Sequence, residues 1–530
     1  MKNKPYPLYE LPAITDLRDL IDKRMQKNPE GIAFSYREKK EIIKIACREF
    51  KESVEKLGTY LLMHGCHETH IAIVGENSYD WVLAFMAITN SGNVAVPVPK
   101  DLEPEAINKM IVQTDCEMVF CSAAYIHKLE FVNEEIQKFS FKEMNSFLEE
   151  GEQAIQSGRE DFANVKIDPD QLAAIFFTSG TSGDSKGVML SHKNIASDIN
   201  IACRNFVLEG DTAVFLPFHH CLGLITAVLK VFNYNHCVFI NSSLKHIPRD
   251  LKEIKPQTVF LVPLFIETFH KEILKQVKKE NKEKKLKRGE RLSQLLLSIG
   301  IDKRKVFFRD IHDFFGGNLE YIICGGAYLD QKYIDEFQRW GITILNGYGI
   351  TECSPVVSVN RNHYQRKNSV GLILPGLQVK AAEDGEILIK GDNVMLGYYK
   401  DPEATAAVLK DGWYSTGDLG RVDEDGFLYI TGRKKSLIIL SNGENVAAET
   451  IENKVMESEG VAETVAYSEN GRIIAEVYPE EEYLNNTEYF EKVRKKLNSK
   501  MPAGIQISEI RLRNTEFEKN VNHKIVRRSS

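Results

Sequence analysis

The sequence predicts an α/β protein with a large N-terminal domain of parallel αβ sheets, a small β subdomain, and a small α+β domain after it. Three observations carry this expectation. Short apolar runs alternate with helical segments from about His70 to Phe307; Asp-Gly turns divide the chain between Leu377 and Ile430; and strand and helix texture returns after Gly432. Alternating runs imply crossover units, which build parallel sheets.

In the first region HIAIVG, VAVPV, LAAIFF, TAVFLP, CVFI and TVFLV read as strands and YDWVLAFMAITNSG as a helix. The runs are continuously apolar because a strand covered on both faces has no solvent side to mark. In the second region Asp384-Gly385, Asp411-Gly412 and Asp425-Gly426 signal tight turns between short strands. The third holds SLIIL, AAETIENKVMES, ETVAYS, RIIAEVY and YFEKVRKKLNSKM, enough for a unit of about a hundred residues. These readings divide the chain into residues 1–432, with the β subdomain at about 377–431, and residues 433–530.

The 530 residues exceed what one hydrophobic core organises. Hydrophobic residues at 43% and charged residues at 27% exclude disordered, collagen-like and disulfide-stapled classes. A net charge of −7 gives no general attraction to nucleic acid, and none is expected as a partner. Nine cysteines without a C-x-x-C pair read as reduced thiols of a cytoplasmic protein. The N-terminal residues lack a signal-peptide pattern and no stretch reaches the length of a membrane span, so membrane contact is expected to be peripheral at most. The segment from Lys275 to Arg291 carries nine basic and three acidic residues; interspersed glutamates favour a solvated helix or surface insertion over a lipid-binding element. No repeat is visible, and no carrier or reductase domain is expected after Arg528.

The strongest chemical signal is Thr178-Ser179-Gly180-Thr181-Ser182-Gly183-Asp184-Ser185-Lys186-Gly187, directly after the apolar run LAAIFF. Glycines let backbone N–H groups turn inward on an anion, hydroxyls add donors, and Lys186 adds a charge. This is a polyphosphate cradle. It departs from the ordinary NTPase loop, in which lysine directly follows the last glycine.

The segment resembles the phosphate loop of the adenylate-forming superfamily, which includes acyl-CoA synthetases, firefly luciferase and peptide-synthetase adenylation domains. Four further motifs of that family follow in order: Asn346-Gly347-Tyr348-Gly349-Ile350-Thr351-Glu352, Tyr414-Ser415-Thr416-Gly417-Asp418, Gly432-Arg433-Lys434-Lys435, and Phe517-Glu518-Lys519-Asn520-Val521-Asn522-His523-Lys524-Ile525. The resemblance spans nearly the whole chain and is closest to long-chain fatty acyl-CoA ligases. Ser185 and Ala448 replace common prolines; His523 stands where the family has glycine, and Asn520 where it has threonine.

The resemblance implies ATP, Mg²⁺ and coenzyme A, and a reaction in which a carboxylate attacks the α-phosphorus of ATP, pyrophosphate leaves, and a thiol takes the acyl group. Ser179, Gly180, Thr181, Ser182, Gly183 and Lys186 would hold the phosphates. Glu352 with Thr178 would hold Mg²⁺, a cation that commonly takes one or two protein oxygens. Gly325, Gly326 and Ala327, together with Asn346, Gly347, Tyr348, Gly349 and Thr351, would receive the nucleotide, Tyr348 stacking on the base. Asp418 and Arg433 would hold the ribose, and Lys524, on a C-terminal domain expected to be mobile about Lys435, would approach the α-phosphate. Phe218, His219, His220 and Gly223 lie in the segment that lines the acyl pocket. The adjacent histidines read poorly as a metal pair, with no further ligand at useful spacing. Two alternatives stand beside CoA ligation: an acyl-AMP ligase that loads an acyl carrier protein, and a nucleotide-binding regulatory protein without turnover.

Overall fold

The computed structural model describes residues 4–129, 135–178, 185–440, 445–502, 505–519 and 525. The chain separates into two compact units. The first comprises residues up to Thr178, Ser185–Leu377 and Gly391–Ala407; the second comprises Gln378–Lys390 and the chain from Val408 onward.

The first unit contains two mainly parallel sheets. One has seven strands in the order Gly397–Tyr398, Lys186–Ser191, Leu172–Thr178, Val94–Val98, His70–Val74, Cys116–Cys121, Gln137–Ser140. The other has nine, with a parallel centre of Thr343–Gly349, Tyr321–Cys324, Thr258–Leu261, Thr212–Val214, Val238–Ile240 and Ile32–Glu38. Each apolar run named above as a strand is one. The helix Tyr79–Asn90 is buried from Trp81 through Asn90 and touches strands of both sheets, which explains an apolar sequence on every face. Ser78 caps it, its hydroxyl accepting from the Trp81 N–H at 3.2 Å.

The second unit begins as an antiparallel sheet of Gln378–Ala381, Glu386–Lys390, Trp413–Val422, Leu409–Lys410 and Leu428–Arg433. The expected Asp-Gly turns join these strands: Gly385, Gly412 and Gly426 have φ of 82°, 78° and 85°, conformations that favour glycine. Beyond them the three-stranded sheet Val461–Glu469, Arg472–Pro479, Ile507–Leu512 packs with helices Ala448–Met456 and Thr487–Asn498 around Ile451, Val455, Ala475, Val477, Phe490 and Ile507.

All nine cysteines are buried and unpaired, in keeping with reduced thiols. Among the described residues no helix is long and apolar enough to cross a membrane. The basic segment falls on the helices Pro263–Lys279 and Glu283–Ser298, with its lysines largely exposed.

One buried histidine links this core to pH. His192 opens the helix His192–Asn205; its Nδ1 accepts from the Leu17 N–H at 3.4 Å, and its Nε2 is buried without a partner among the described residues. Burial lowers its pKa from 6.5 to about 4. Between these values the unfolded chain binds the proton more readily, so stability falls as pH drops from 6.5 towards 4, by up to about 3 kcal/mol from this group. His192→Asn, which retains an acceptor but cannot titrate, is expected to flatten that part of the denaturation-versus-pH curve. An unchanged slope would assign the acid sensitivity elsewhere.

Candidate functional site

The first unit assembles its share of the predicted residues at the C-terminal ends of parallel strands. Gly325 follows Tyr321–Cys324, and Asn346–Gly349 end the neighbouring strand, with Cys324 opposite Asn346. Both strands therefore deliver their glycines to one edge, the usual ligand edge of an open α/β sheet. A Cβ on Gly349 would lie 2.2 Å from the Pro355 carbonyl oxygen, so backbone excludes a side chain there, and one on Gly347 would lie 3.0 Å from that of Ser358, a tight fit. Gly326 has φ of 87° and is exposed together with Ala327.

Thr178 ends the strand Leu172–Thr178 and pairs across a hairpin with Lys186. The connecting residues Ser179, Gly180, Thr181, Ser182 and Gly183 lie outside the described residues. The Lys186 ammonium sits 4.7 Å from the centre of the Tyr398 ring, and the Tyr398 hydroxyl donates to Glu352 Oε1 at 2.9 Å. Glu352 Oε2 has no hydrogen bond among the described residues. A carboxylate with one oxygen steadied and the other open suits a hard cation that keeps most of its waters. Among the described residues no cluster of three metal-ligating side chains occurs, so a metal here would rest on few protein oxygens.

The turn bearing Glu352 is braced from behind. Asn393, fully buried, donates to the Cys353 and Val356 carbonyls at 2.8 and 3.1 Å, and the Met395 N–H donates to the Glu352 carbonyl at 2.9 Å. Asp198 accepts from the Val356 N–H at 2.9 Å and pairs with Lys230 at 2.7 Å, both side chains fully buried. Burial raises the Asp198 carboxyl above the ordinary carboxylate value while Lys230 pulls it back. Removing either partner leaves a buried charge unpaired, at a cost of about 3–5 kcal/mol.

The predicted acyl segment adjoins this region. Phe218 is buried against Trp81, ring centres 5.5 Å apart, and its N–H donates to Asn77 Oδ1 at 3.1 Å. His219 is buried, its pKa driven well below the usual value by burial and then by His220, whose ring lies 4.3 Å away; it is a neutral imidazole near pH 7. The Cys221 thiol meets Thr351 and, through burial, is pushed far above its ordinary value, so it is no nucleophile. A Cβ on Gly223 would stand 2.1 Å from the Pro217 carbonyl oxygen, and one on Gly326 3.7 Å from Leu222. From Leu222 to Leu229 the chain forms a π-helix, a wide turn frequent at functional sites.

The second unit holds the other predicted residues. Asp418 and Arg433 face each other across adjacent strands, with Arg433 Nε 3.1 Å from Asp418 Oδ1; Asp418 is buried and Arg433 half exposed. The Thr416 hydroxyl accepts from the Asp418 N–H at 3.0 Å, and Gly417 has φ of 71°. Lys435 lies in the single turn Lys434–Ser436, and Lys434 pairs with Asp384 and Glu386 at 2.6 and 2.9 Å. Lys524 lies outside the described residues. Among the described residues nearest to it in the chain, Glu463 accepts from the Phe517 N–H at 2.8 Å and pairs with the Lys519 ammonium, and Lys519 pairs antiparallel with Ile525.

Sequence reasoning missed Tyr398, Asn393, Glu463 and the Asp198–Lys230 pair. None carries a local pattern: Tyr398 stands 46 residues from the carboxylate it steadies.

Glycines at the ends of neighbouring parallel strands mark the ligand edge of an open α/β protein. Residues 21–399 match the family described as AMP-binding enzyme, and the chain belongs to that family. It is 28% identical over 530 residues to the long-chain-fatty-acid–CoA ligase 5 of Rattus norvegicus, covering 90% of this chain and 77% of that one. The long-chain-fatty-acid–CoA ligase FadD15 of Mycobacterium bovis is 27% identical over 448 residues, covering 78% and 73%. Among solved structures, o-succinylbenzoate coenzyme A synthetase from Bacillus subtilis, in complex with ATP and magnesium ion, superposes with a TM-score of 0.76 at 19% identity, covering 96% of this chain and 98% of that one. A Mycobacterium tuberculosis fatty acyl CoA synthetase does so with a TM-score of 0.68 at 18% identity, covering 96% of each. The expected adenylate-forming fold is thereby shown.

Proposed function

We propose that the protein activates a medium- or long-chain fatty acid with ATP and Mg²⁺, forming acyl-AMP and pyrophosphate, and then transfers the acyl group to the thiol of coenzyme A. The observation that carries this reading is the chain of contacts from Lys186 through Tyr398 to Glu352 at the glycine-cleared strand ends, in a member of the AMP-binding enzyme family. The names of the relatives supply the acid and the acceptor.

In the first half-reaction a carboxylate oxygen bonds to the α-phosphorus as the bond to pyrophosphate breaks. Negative charge grows on the phosphoryl oxygens, and cations placed beforehand stabilise it without reorganisation. Lys186 would meet the phosphates, Glu352 with Thr178 would hold Mg²⁺, which supplies charge neutralisation there, and Lys524 would meet the α-phosphate. Gly325–Ala327 and Asn346–Tyr348 would admit the base, while Asp418 and Arg433 take the ribose hydroxyls. Neutral His219 beside Phe218 suits an acyl chain, since a charged imidazole would lose its water, at a cost, when the chain packed against it. In the second half-reaction the thiol attacks the acyl carbonyl and AMP leaves.

The reading is tested by offering mixed fatty acids with ATP and either CoA or a phosphopantetheinyl carrier protein, and identifying thioesters by mass spectrometry. Fatty acyl-CoA is the expected product; thioester formed only on the carrier would replace CoA as the acceptor. Glu352→Gln is expected to slow Mg²⁺-dependent ATP–pyrophosphate exchange by about 10²-fold or more. Tyr398→Phe, which removes one hydrogen bond to a charged group, is expected to raise the Mg²⁺ needed for half-maximal exchange about tenfold with an unchanged unfolding transition. Wild-type exchange in Glu352→Gln would remove that residue from the metal role.

A further inference from the structure

The helix Glu283–Ser298 is held to the first unit along one side. Leu286 packs on the core, Ser293 is buried, Glu290 Oε1 accepts from Trp340 Nε1 at 3.2 Å, and a Cβ on Gly289 would lie 3.3 Å from the Phe308 ring. These residues recur at three- and four-residue spacing and so share a face. On the opposite face Lys284, Arg288, Arg291 and Leu295 stand at intervals of four, three and four, all exposed. The outward stripe is thus cationic at its start and apolar at its end.

The apolar end continues past the helix. Leu295, Ile299 and Val306 are 64%, 67% and 69% exposed, with Leu292 and Ile301 also in solvent. Single exposed apolar residues are ordinary, but a succession of them over one short stretch of chain points to a partner. Around it the charge is one-sided: residues 284–309 hold nine basic side chains and two acidic ones in a chain whose net charge is −7.

We infer that this helix and the turn after it dock on an anionic lipid surface. The apolar end enters the boundary between headgroups and acyl chains, and the lysines and arginines beside it meet lipid phosphates. Either part alone binds a bilayer weakly; together they give the two signals that stable surface attachment needs. A nucleic acid would satisfy the charge but leave the leucines and isoleucines in water. The sequence alone favours a solvated helix, because glutamates are interspersed among the basic residues; the exposed stripe is what favours a lipid surface. The inference stands on the surface alone and does not depend on the proposed reaction.

Co-sedimentation of the full chain with vesicles tests it. Binding to an equal mixture of phosphatidylcholine and phosphatidylglycerol, at least about tenfold stronger than to phosphatidylcholine alone and weakened by salt, is expected. Leu295→Ser with Ile299→Ser, and separately Lys284→Glu with Arg288→Glu, should each reduce the bound fraction about tenfold without changing the unfolding transition or pyrophosphate exchange. Leu295→Trp should show a blue-shifted emission on adding the mixed vesicles. The inference is overturned by equal binding to both vesicles, by no binding, or by variants that bind as the wild type does. A concentration-dependent dimer that both paired variants abolish, without vesicle binding, would assign the patch to a second copy of the chain and also overturn it.

Discussion

Lys524→Ala is expected to slow acyl-adenylate formation about 10²–10³-fold, the cost typical of removing one preorganised group that stabilises charge only in the transition state. Thioester formation from supplied acyl-AMP should proceed near the wild-type rate, because no phosphorus–oxygen bond to pyrophosphate breaks in that step. The departures at Asn520 and His523 make this experiment decisive, since a regulatory protein without turnover would show no exchange in the wild type either. Glu463, on the strand Val461–Glu469, holds both the Phe517 N–H and the Lys519 ammonium, and Lys519 pairs with Ile525. Equal loss of both half-reactions would indicate that Lys524 supports the site as a whole and not the first transition state.

The parts legible in the sequence are those governed by local physics. Buried parallel strands are continuously apolar, so Ile71–Val74 and Ala173–Phe177 announce themselves, and left-handed glycines follow aspartate at Gly385, Gly412 and Gly426. Parts made by distant pairing are silent. Gly397 and Tyr398 pair with Met189 and Val188, an association across some two hundred residues that draws Gly391–Ala407 into the first unit while the strands on either side fold into the second. The hydrogen bond from Tyr398 to Glu352 exists only because of that pairing. Charge is misleading in the same way. Asp198 and Lys230 look like surface residues in a list, yet both are fully buried behind the Glu352 turn, because each supplies the other's counter-charge. The π-helix Leu222–Leu229 escapes because a segment apolar on every side shows no period from which a wider turn could be told.

Lys435→Pro is expected to separate the two half-reactions. On the proposed reaction Lys524 would serve the acyl group first and a thiol next, and we propose that the residues carrying Lys524 withdraw after adenylation by turning about Lys435. The single turn Lys434–Ser436 joins the strand Leu428–Arg433 to the strand Leu437–Ile439, and Lys434 is tied to Asp384 and Glu386 immediately before the proposed pivot. Rotation of this kind is absorbed by large backbone changes at very few residues. A 3₁₀ turn already has φ near about −60°, so proline, which fixes φ at about −65°, is accommodated in this conformation and denied the others. Pyrophosphate exchange should therefore persist while thioester synthesis from acyl-AMP falls by about 10²-fold or more, and acyl-AMP should accumulate on the enzyme, where it can be extracted and counted. Lys435→Ala, which leaves φ free, should carry out both steps. If Lys435→Pro retains both half-reactions, the pivot is not at Lys435, and Ser436 is the next position to fix.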